Sequence, residues 1–196
     1  MKHRNGHLLL GYWSRIRGDR PAPARADIDP AQIKRVLPFV MMLEPRIHGA
    51  AIRLAGTGLC DLFGRELRGE DFATMWAADS RDAFALAMEN IVSGAVPAVI
   101  TGLAETRCGR IVQCETLLLP LATGDGRVQR LLGCFHVLEP LETYADVPLR
   151  GLRLAATESV DEPALPAMPA AAELAPPAST PRIPRRAPYL RLVVSN

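Results

Sequence analysis

The order of strand-like and helix-like segments between residues 37 and 138 constrains the fold most. Two short apolar runs come first, a glycine-broken helical stretch and an amphipathic helix follow, and three longer runs rich in aliphatic and β-branched residues come last. In chain order these segments are 39–43, 51–55, 56–64, the helix that ends at Gly94, 97–104, 111–119 and 128–138. Short turn-rich connections predict hairpins. We therefore expect an α+β fold, a five-stranded antiparallel sheet with helices on one face.

The segments that flank this block differ from it in composition. Residues 1–36 include Leu9, Tyr12, Trp13 and Ile16 at helical spacing, which predicts an N-terminal helical extension that ends near Gly18. Residues 37–142 form the predicted domain. Eight of the seventeen prolines lie between residues 161 and 188, among few large apolar side chains. Residues 143–196 are therefore predicted to be a Pro/Ala-rich flexible tail with a short apolar motif at its end.

Composition and charge argue against several classes of protein. The net charge of +2 is too small for a nucleic-acid footprint, so no nucleic-acid partner is expected. No apolar run approaches the ~20 residues of a membrane span, and the basic start lacks the apolar stretch of a signal peptide, which predicts a cytoplasmic protein. A basic run in the tail leaves open a contact with an acidic partner or a membrane surface, although solvated arginines are the favoured interpretation: Arg182, Arg185 and Arg186.

Cysteine and histidine patterns do not favour a metal, haem or flavin site, and the cofactor stays unidentified. The four cysteines have neither the Cys-x-x-Cys spacing nor the histidine pair of a zinc site, so they are expected to be free thiols. Haem would require an axial ligand on the helical side of a pocket, and His3, His7 and His48 do not fit that place. Cys60 lies where light-sensing flavoproteins carry their reactive cysteine, but without their asparagine-cysteine-arginine signature.

Two further patterns resemble sites of binding or catalysis. Gly56-Thr57-Gly58 resembles the start of a dinucleotide fingerprint, but Asp61 stands where the third glycine should be, so the glycines are interpreted as a sharp strand-to-helix turn. Glu105 and Glu115 could form an acid/base pair, yet no nucleophile or metal site accompanies them. We therefore expect no enzymatic activity.

Several motifs together resemble a group of small bacterial, mostly alphaproteobacterial, proteins in which one PAS module makes up nearly the whole chain. The similarity covers about residues 10–142 and rests on the order and spacing of Trp13, Asp27-Ile28-Asp29-Pro30, Leu37-Pro38, Arg53-Leu54-Ala55-Gly56-Thr57, Gly64-Arg65-Glu66-Leu67-Arg68-Gly69, Glu115-Thr116-Leu117-Leu118-Leu119-Pro120-Leu121 and Arg130-Leu131-Leu132-Gly133. The resemblance implies a PAS fold that binds small molecules or mediates protein contacts in signalling. It also implies dimerisation through the N-terminal helix, with Leu9, Tyr12, Trp13 and Ile16 as candidate contacts.

We therefore predict a sensory or regulatory protein that binds a small ligand between sheet and helices and signals to an unidentified partner protein. The candidate pocket residues are Met41, Arg53, Phe63, Trp76, Phe84, Met88, Cys134 and His136. His136 alternates with Arg130, Leu132 and Cys134 on one strand face, so it either lines the pocket or sits hydrogen-bonded or exposed at the strand end. The alternative function is a ligand-free dimeric adaptor whose cavity is filled by its own side chains.

Overall fold

The computed structural model describes residues 1–140 and 147–160 of the chain. These residues form three α-helices and six strands around one antiparallel sheet. In chain order the elements are α1 (Arg4–Arg17), β1 (Val40–Arg46), β2 (Gly49–Ala55), α2 (Thr57–Phe63), α3 (Arg81–Gly94), β3 (Ala98–Glu105), β4 (Ile111–Ala122), β5 (Val128–Val137) and β6 (Gly151–Ser159). Short 3-10 turns connect them at Arg25–Asp27, Pro30–Ile33, Leu37–Phe39, Phe72–Met75 and Ala78–Ser80.

The sheet has the strand order β2-β1-β5-β4-β3-β6, and all neighbours are antiparallel. The predicted α+β class, the antiparallel sheet and the order of elements are confirmed. The strand count differs by one, because β6 pairs along the whole of β3 from within the segment assigned to the tail. Six of the nine residues of β6 are exposed and only Leu152 is buried, so β6 lacks the long apolar run that predicts the other strands. The remainder of the predicted tail, residues 161–196, lies outside the described residues, as do residues 141–146.

The two faces of the sheet are covered by different helices. α2 and α3 pack on one face, as expected, and enclose an apolar cluster built around Phe63, Phe72, Trp76 and Phe84. α1 packs on the opposite face, where Leu9 and Trp13 join Leu117 and Leu119 of β4 and other apolar residues. The sheet is therefore buried on both sides, which is why β4 is buried at nearly every position rather than at alternate ones.

The helix ends follow local capping rules. α1 begins after His3, whose Nδ1 accepts a hydrogen bond from the backbone N–H of Asn5 at 3.2 Å, and it ends at Gly18 with φ +58°. α3 runs through Gly94, and the left-handed residue that ends it is Ala95 with φ +51°, one residue later than the glycine suggested. No helix in residues 1–140 and 147–160 has the length and hydropathy needed to cross a bilayer.

Candidate functional site

Aromatic side chains occupy the space between the sheet and the helices α2 and α3. The ring centroids of Phe72 and Trp76 lie 5.9 Å apart, those of Phe72 and Phe84 5.5 Å apart, and those of Trp76 and Phe84 5.6 Å apart. Phe63 meets Phe135 of β5 at 5.5 Å. We call these five residues the aromatic layer; none of them is more than 5% exposed. The predicted pocket residues Met41, Phe63, Trp76, Phe84 and Met88 all belong to the cluster that contains this layer.

Two buried polar atoms interrupt the apolar cluster. The indole Nε1 of Trp76 and the hydroxyl Oγ1 of Thr116 have no hydrogen-bond partner among the described residues. Thr116 is fully buried on β4, on the same strand face as Cys114 and Leu118, which both belong to the cluster. A buried polar atom without a partner destabilises a fold by about 1–3 kcal/mol. The Trp76 indole N–H can therefore donate a hydrogen bond to a bound group, and the Thr116 hydroxyl can donate to or accept from one.

The register of the sheet brings Trp76 and Thr116 into the same region. Gly102 on β3 lies opposite Cys114, and Thr116 lies opposite Ile100, two residues further along the same pair of strands. A Cβ atom added to Gly102 would stand 3.2 Å from the Trp76 ring, so the indole packs directly against this glycine. Thr116 was not among the predicted pocket residues. The available signal was a polar residue alternating with Cys114 and Leu118 in an apolar strand.

Arg53 was predicted to line the pocket and does not. Its side chain is exposed on the edge strand β2 and pairs with the carboxylate of Glu44 on β1. A β-bulge between Met42 and Leu43 shifts the pairing of β1 with β2 at this position. A charged side chain on an edge strand stays in solvent because burial would remove its hydration.

Cys134 and His136 were also predicted to line the pocket, and they lie on the opposite face of the sheet. Leu131 and Phe135 of β5 point toward the α2 and α3 side, so the alternate residues Cys134 and His136 point toward α1. His136 is 5% exposed, and its Nε2 lies 2.9 Å from the Cys134 Sγ. The interpretation of His136 as a hydrogen-bonded residue near a strand end is the one that agrees with the structure.

His136 belongs to a polar cluster that fastens the start of α1 to the sheet. The His3 ring stacks on the His136 ring with centroids 3.7 Å apart. Glu115, which faces His136 across the β4–β5 pair and is 2% exposed, accepts hydrogen bonds from the backbone N–H groups of Lys2 at 2.6 Å and His3 at 3.2 Å. Glu115 therefore anchors the segment that precedes α1.

Burial favours the neutral forms of three groups in this cluster, His3, Cys134 and His136. Burial, with a smaller effect from His3, lowers the pKa of His136 to about 4. Burial also lowers the pKa of His3, although Glu115 opposes the shift. The pKa of the Cys134 thiol is raised to about 12, by burial first and by Glu115 second. Such a thiol is a poor nucleophile. Residues 1–140 and 147–160 contain no group of three or more His, Cys, Asp or Glu side chains that could hold a metal ion.

The predicted dimer contacts on α1 are core residues of their own chain. Leu9, Tyr12 and Trp13 are 0–6% exposed, and only Ile16 is half-buried. The Trp13 Nε1 donates to the Pro120 carbonyl oxygen at 2.8 Å. The Tyr12 hydroxyl accepts from the backbone N–H of Asp29 at 2.6 Å. These side chains pack and form hydrogen bonds within their own chain. They are therefore not favoured as dimer contacts as long as α1 packs on the sheet.

Comparison with known proteins identifies the family. A sequence model described as "PAS domain" matches residues 1–136, and no curated protein matches the chain significantly. Solved structures similar to this chain include one described under a light-oxygen-voltage domain with a flavin analogue (16% identity, TM-score 0.46, covering 59% of this chain and 86% of that one). Another is the PAS domain of a protein from Colwellia psychrerythraea (13% identity, TM-score 0.45, covering 55% and 95%). A third is a Vibrio cholera VqmA–ligand–DNA complex (14% identity, TM-score 0.43, covering 57% and 51%).

The family assignment rests on the sequence match, which spans α1, strands β1 to β4, and all of β5 except its last residue, Val137. The narrower resemblance to small alphaproteobacterial proteins stays a prediction. The chain belongs to the PAS domain family, a family of sensory and regulatory modules.

Proposed function

We propose that this chain is a non-enzymatic sensor that binds a small ligand between the sheet and helices α2 and α3. The observation that supports it is the pair of unpartnered buried polar atoms, Trp76 Nε1 and Thr116 Oγ1, within an apolar and aromatic surround. Ligand sites in proteins are commonly apolar cavities with a few polar groups that orient the ligand. A mostly apolar ligand with one carbonyl or hydroxyl group fits this chemistry, because such a group can accept from the indole N–H and pair with the threonine hydroxyl.

Room for the ligand would come from movement of side chains that fill the cluster. Met41 and Met88 are buried there, and their unbranched side chains adopt other rotamers at low cost. The Trp76 indole is the largest side chain of the aromatic layer, and its displacement would open the region beside Gly102 and Thr116. The ligand thus selects a minor arrangement of the core rather than entering an open cavity.

The segment that carries Trp76 is bonded to β6, which gives a route for the signal. The backbone N–H of Ala77 donates to the Leu152 carbonyl oxygen at 2.7 Å, and the Ser80 hydroxyl accepts from the backbone N–H of Leu154 at 3.1 Å. An ion pair between Arg153 and Asp79 at 2.8 Å adds a third link. Displacement of Trp76 would therefore loosen β6 at the edge of the sheet, where a partner protein can detect the change.

The first test is native mass spectrometry of freshly purified protein, followed by denaturing extraction. A stoichiometric small molecule released on unfolding supports the sensor. The Thr116→Val and Trp76→Phe variants should retain less of it, because each removes one polar contact. Retention equal to that of the wild type in both variants would contradict this placement of the ligand.

A second candidate function, the ligand-free adaptor, is supported by the packing of the aromatic layer. Its ring centroids lie 5.5–5.9 Å apart, and protein side chains bury the rings almost fully. A clean apo mass, together with no thermal shift across a metabolite panel, would favour this function. The adaptor is predicted to be a homodimer, and a measurement of its mass in solution tests this prediction.

A further inference from the structure

An open cleft lies at the β2 end of the sheet, away from the aromatic layer. Its volume is about 540 Å³, and four arginines line it, Arg25, Arg53, Arg68 and Arg130, together with apolar residues that include Met42 and Leu54. We call it the arginine cleft. Met42 packs against the cluster on the α1 side and pairs with Leu54 across the β1–β2 ladder, so these two form an apolar floor. Leu54 is 51% exposed, so part of this floor is open to solvent.

The positive charge of the arginine cleft is only partly neutralised. None of the residues that line it is acidic. Glu44 on β1 forms ion pairs with Arg53 and with Arg130, the latter at 3.4 Å. The guanidinium groups of Arg25 and Arg68 make no salt bridge to any residue in 1–140 or 147–160. The backbone N–H of Arg68 donates to Glu66 at 3.0 Å, and this hydrogen bond, with a smaller effect of the Arg68 charge, lowers the pKa of Glu66.

The carboxylate of Glu44 is an anion that already binds to arginines of the cleft. Two arginines from different strands, Arg53 of β2 and Arg130 of β5, converge on it. The hydrogen bond from Arg53, with help from Arg130 and Arg46, holds the pKa of Glu44 below its usual value. The surroundings therefore stabilise negative charge, and guanidinium groups from separate elements suit a group with several acceptor oxygens.

We propose that the arginine cleft binds a phosphate monoester that carries a short apolar group, at a site separate from the aromatic layer. Arginines bind phosphate oxygens in pairs of hydrogen bonds, and a dianion matches the excess positive charge better than a single carboxylate does. Met42 and Leu54 would cover the apolar group. The volume lies within the range of small-molecule sites, which favours a small ligand over a folded partner.

The test is isothermal titration calorimetry of the full chain with octyl phosphate below its micelle concentration, with octanol as the neutral control. Binding of octyl phosphate, and none of octanol, is expected, with an affinity that falls as salt is added. Flotation with phosphatidylcholine vesicles, with and without phosphatidic acid, tests whether the phosphate belongs to a lipid headgroup. Binding to octyl phosphate alone indicates a free ligand, and binding to phosphatidic acid vesicles indicates a membrane lipid; either supports the cleft.

Four substitutions assign the binding to these residues. Arg68→Gln and Arg130→Gln should each weaken binding about tenfold, the loss expected for a charged hydrogen bond. Glu44→Gln should tighten it several-fold, because it releases Arg53 and Arg130 from their internal anion. Arg153→Gln, at the opposite edge of the sheet, is the matched control and should leave affinity unchanged. Arg68 is exposed, so its variant should keep the wild-type melting temperature and remain interpretable.

Three results would overturn the proposal. The first is no binding of either octyl phosphate or phosphatidic acid vesicles. The second is equal binding of octanol, which would show that charge is irrelevant. The third is an Arg153→Gln loss as large as that of Arg68→Gln, or weaker binding in Glu44→Gln. Because the cleft shares no polar anchor with Trp76 and Thr116, these results leave the core-ligand proposal unaffected.

Discussion

Thr116→Val should stabilise the protein, although it removes a polar group from a buried strand. The Thr116 hydroxyl is fully buried and has no partner among the described residues. Desolvating an unpaired hydroxyl costs about 1–3 kcal/mol, and valine has nearly the same shape and a high strand propensity. We expect the free energy of unfolding to rise by about 1 kcal/mol, which corresponds to an increase in Tm of roughly 2–4 °C for a chain of this size.

Thr106→Val is the matched control for this prediction. Thr106 is also fully buried, but its Oγ1 accepts a hydrogen bond from the backbone N–H of Arg110 at 3.0 Å and lies 3.2 Å from the Cys108 Sγ. Loss of this partnered hydroxyl should lower the free energy of unfolding by about 1–3 kcal/mol. Urea denaturation of both variants, without added ligand, measures the two changes. A destabilised Thr116→Val would refute the reasoning, because it would mean that the hydroxyl makes a hydrogen bond in the native state.

Three further outcomes are expected. The pKa of His136 is lowered from 6.5 to about 4, so between these pH values the unfolded chain binds more protons than the folded one, and the free energy of unfolding should fall by roughly 2 kcal/mol on acidification. Urea denaturation from pH 7 to 4.5 measures this fall. His136→Gln should reduce the dependence of the unfolding free energy on pH, whereas His48→Gln in the exposed turn should not. Iodoacetamide should modify exposed Cys108 within the native protein and leave buried Cys134, whose pKa is about 12, unmodified by mass spectrometry; equal labelling would contradict the docking of α1. Gly102→Ala should destabilise by about 1–3 kcal/mol in denaturant titrations, because its Cβ would stand 2.6 Å from a backbone oxygen of β6, and an unchanged midpoint would argue against the β3–β6 pairing.

The layout of the domain could be predicted from local signals. Continuous apolar runs, Asp-Gly and glycine-rich turns, and a helical apolar stripe are each encoded within about ten residues of chain, so the strand and helix order followed from them. Met41, Phe63, Trp76, Phe84 and Met88 lie in one buried cluster because large apolar residues on one face of their elements share a core, whereas their role as ligand contacts stays a prediction. β6 was missed since its exposed, polar edge position carries no such signal.

The sequence by itself determined that Cys134 and His136 share one face of a strand, because side chains alternate with a period of two. It did not determine which layer covers that face, since both faces of this sheet are apolar and buried. Only the docking of α1 decided it, by placing His3 and the backbone of Lys2 against His136 and Glu115. These contacts join residues far apart in the chain, and no local pattern encodes them. For the same reason, only the tertiary structure shows that the arginines of the cleft converge and that the Thr116 hydroxyl has no partner among the described residues.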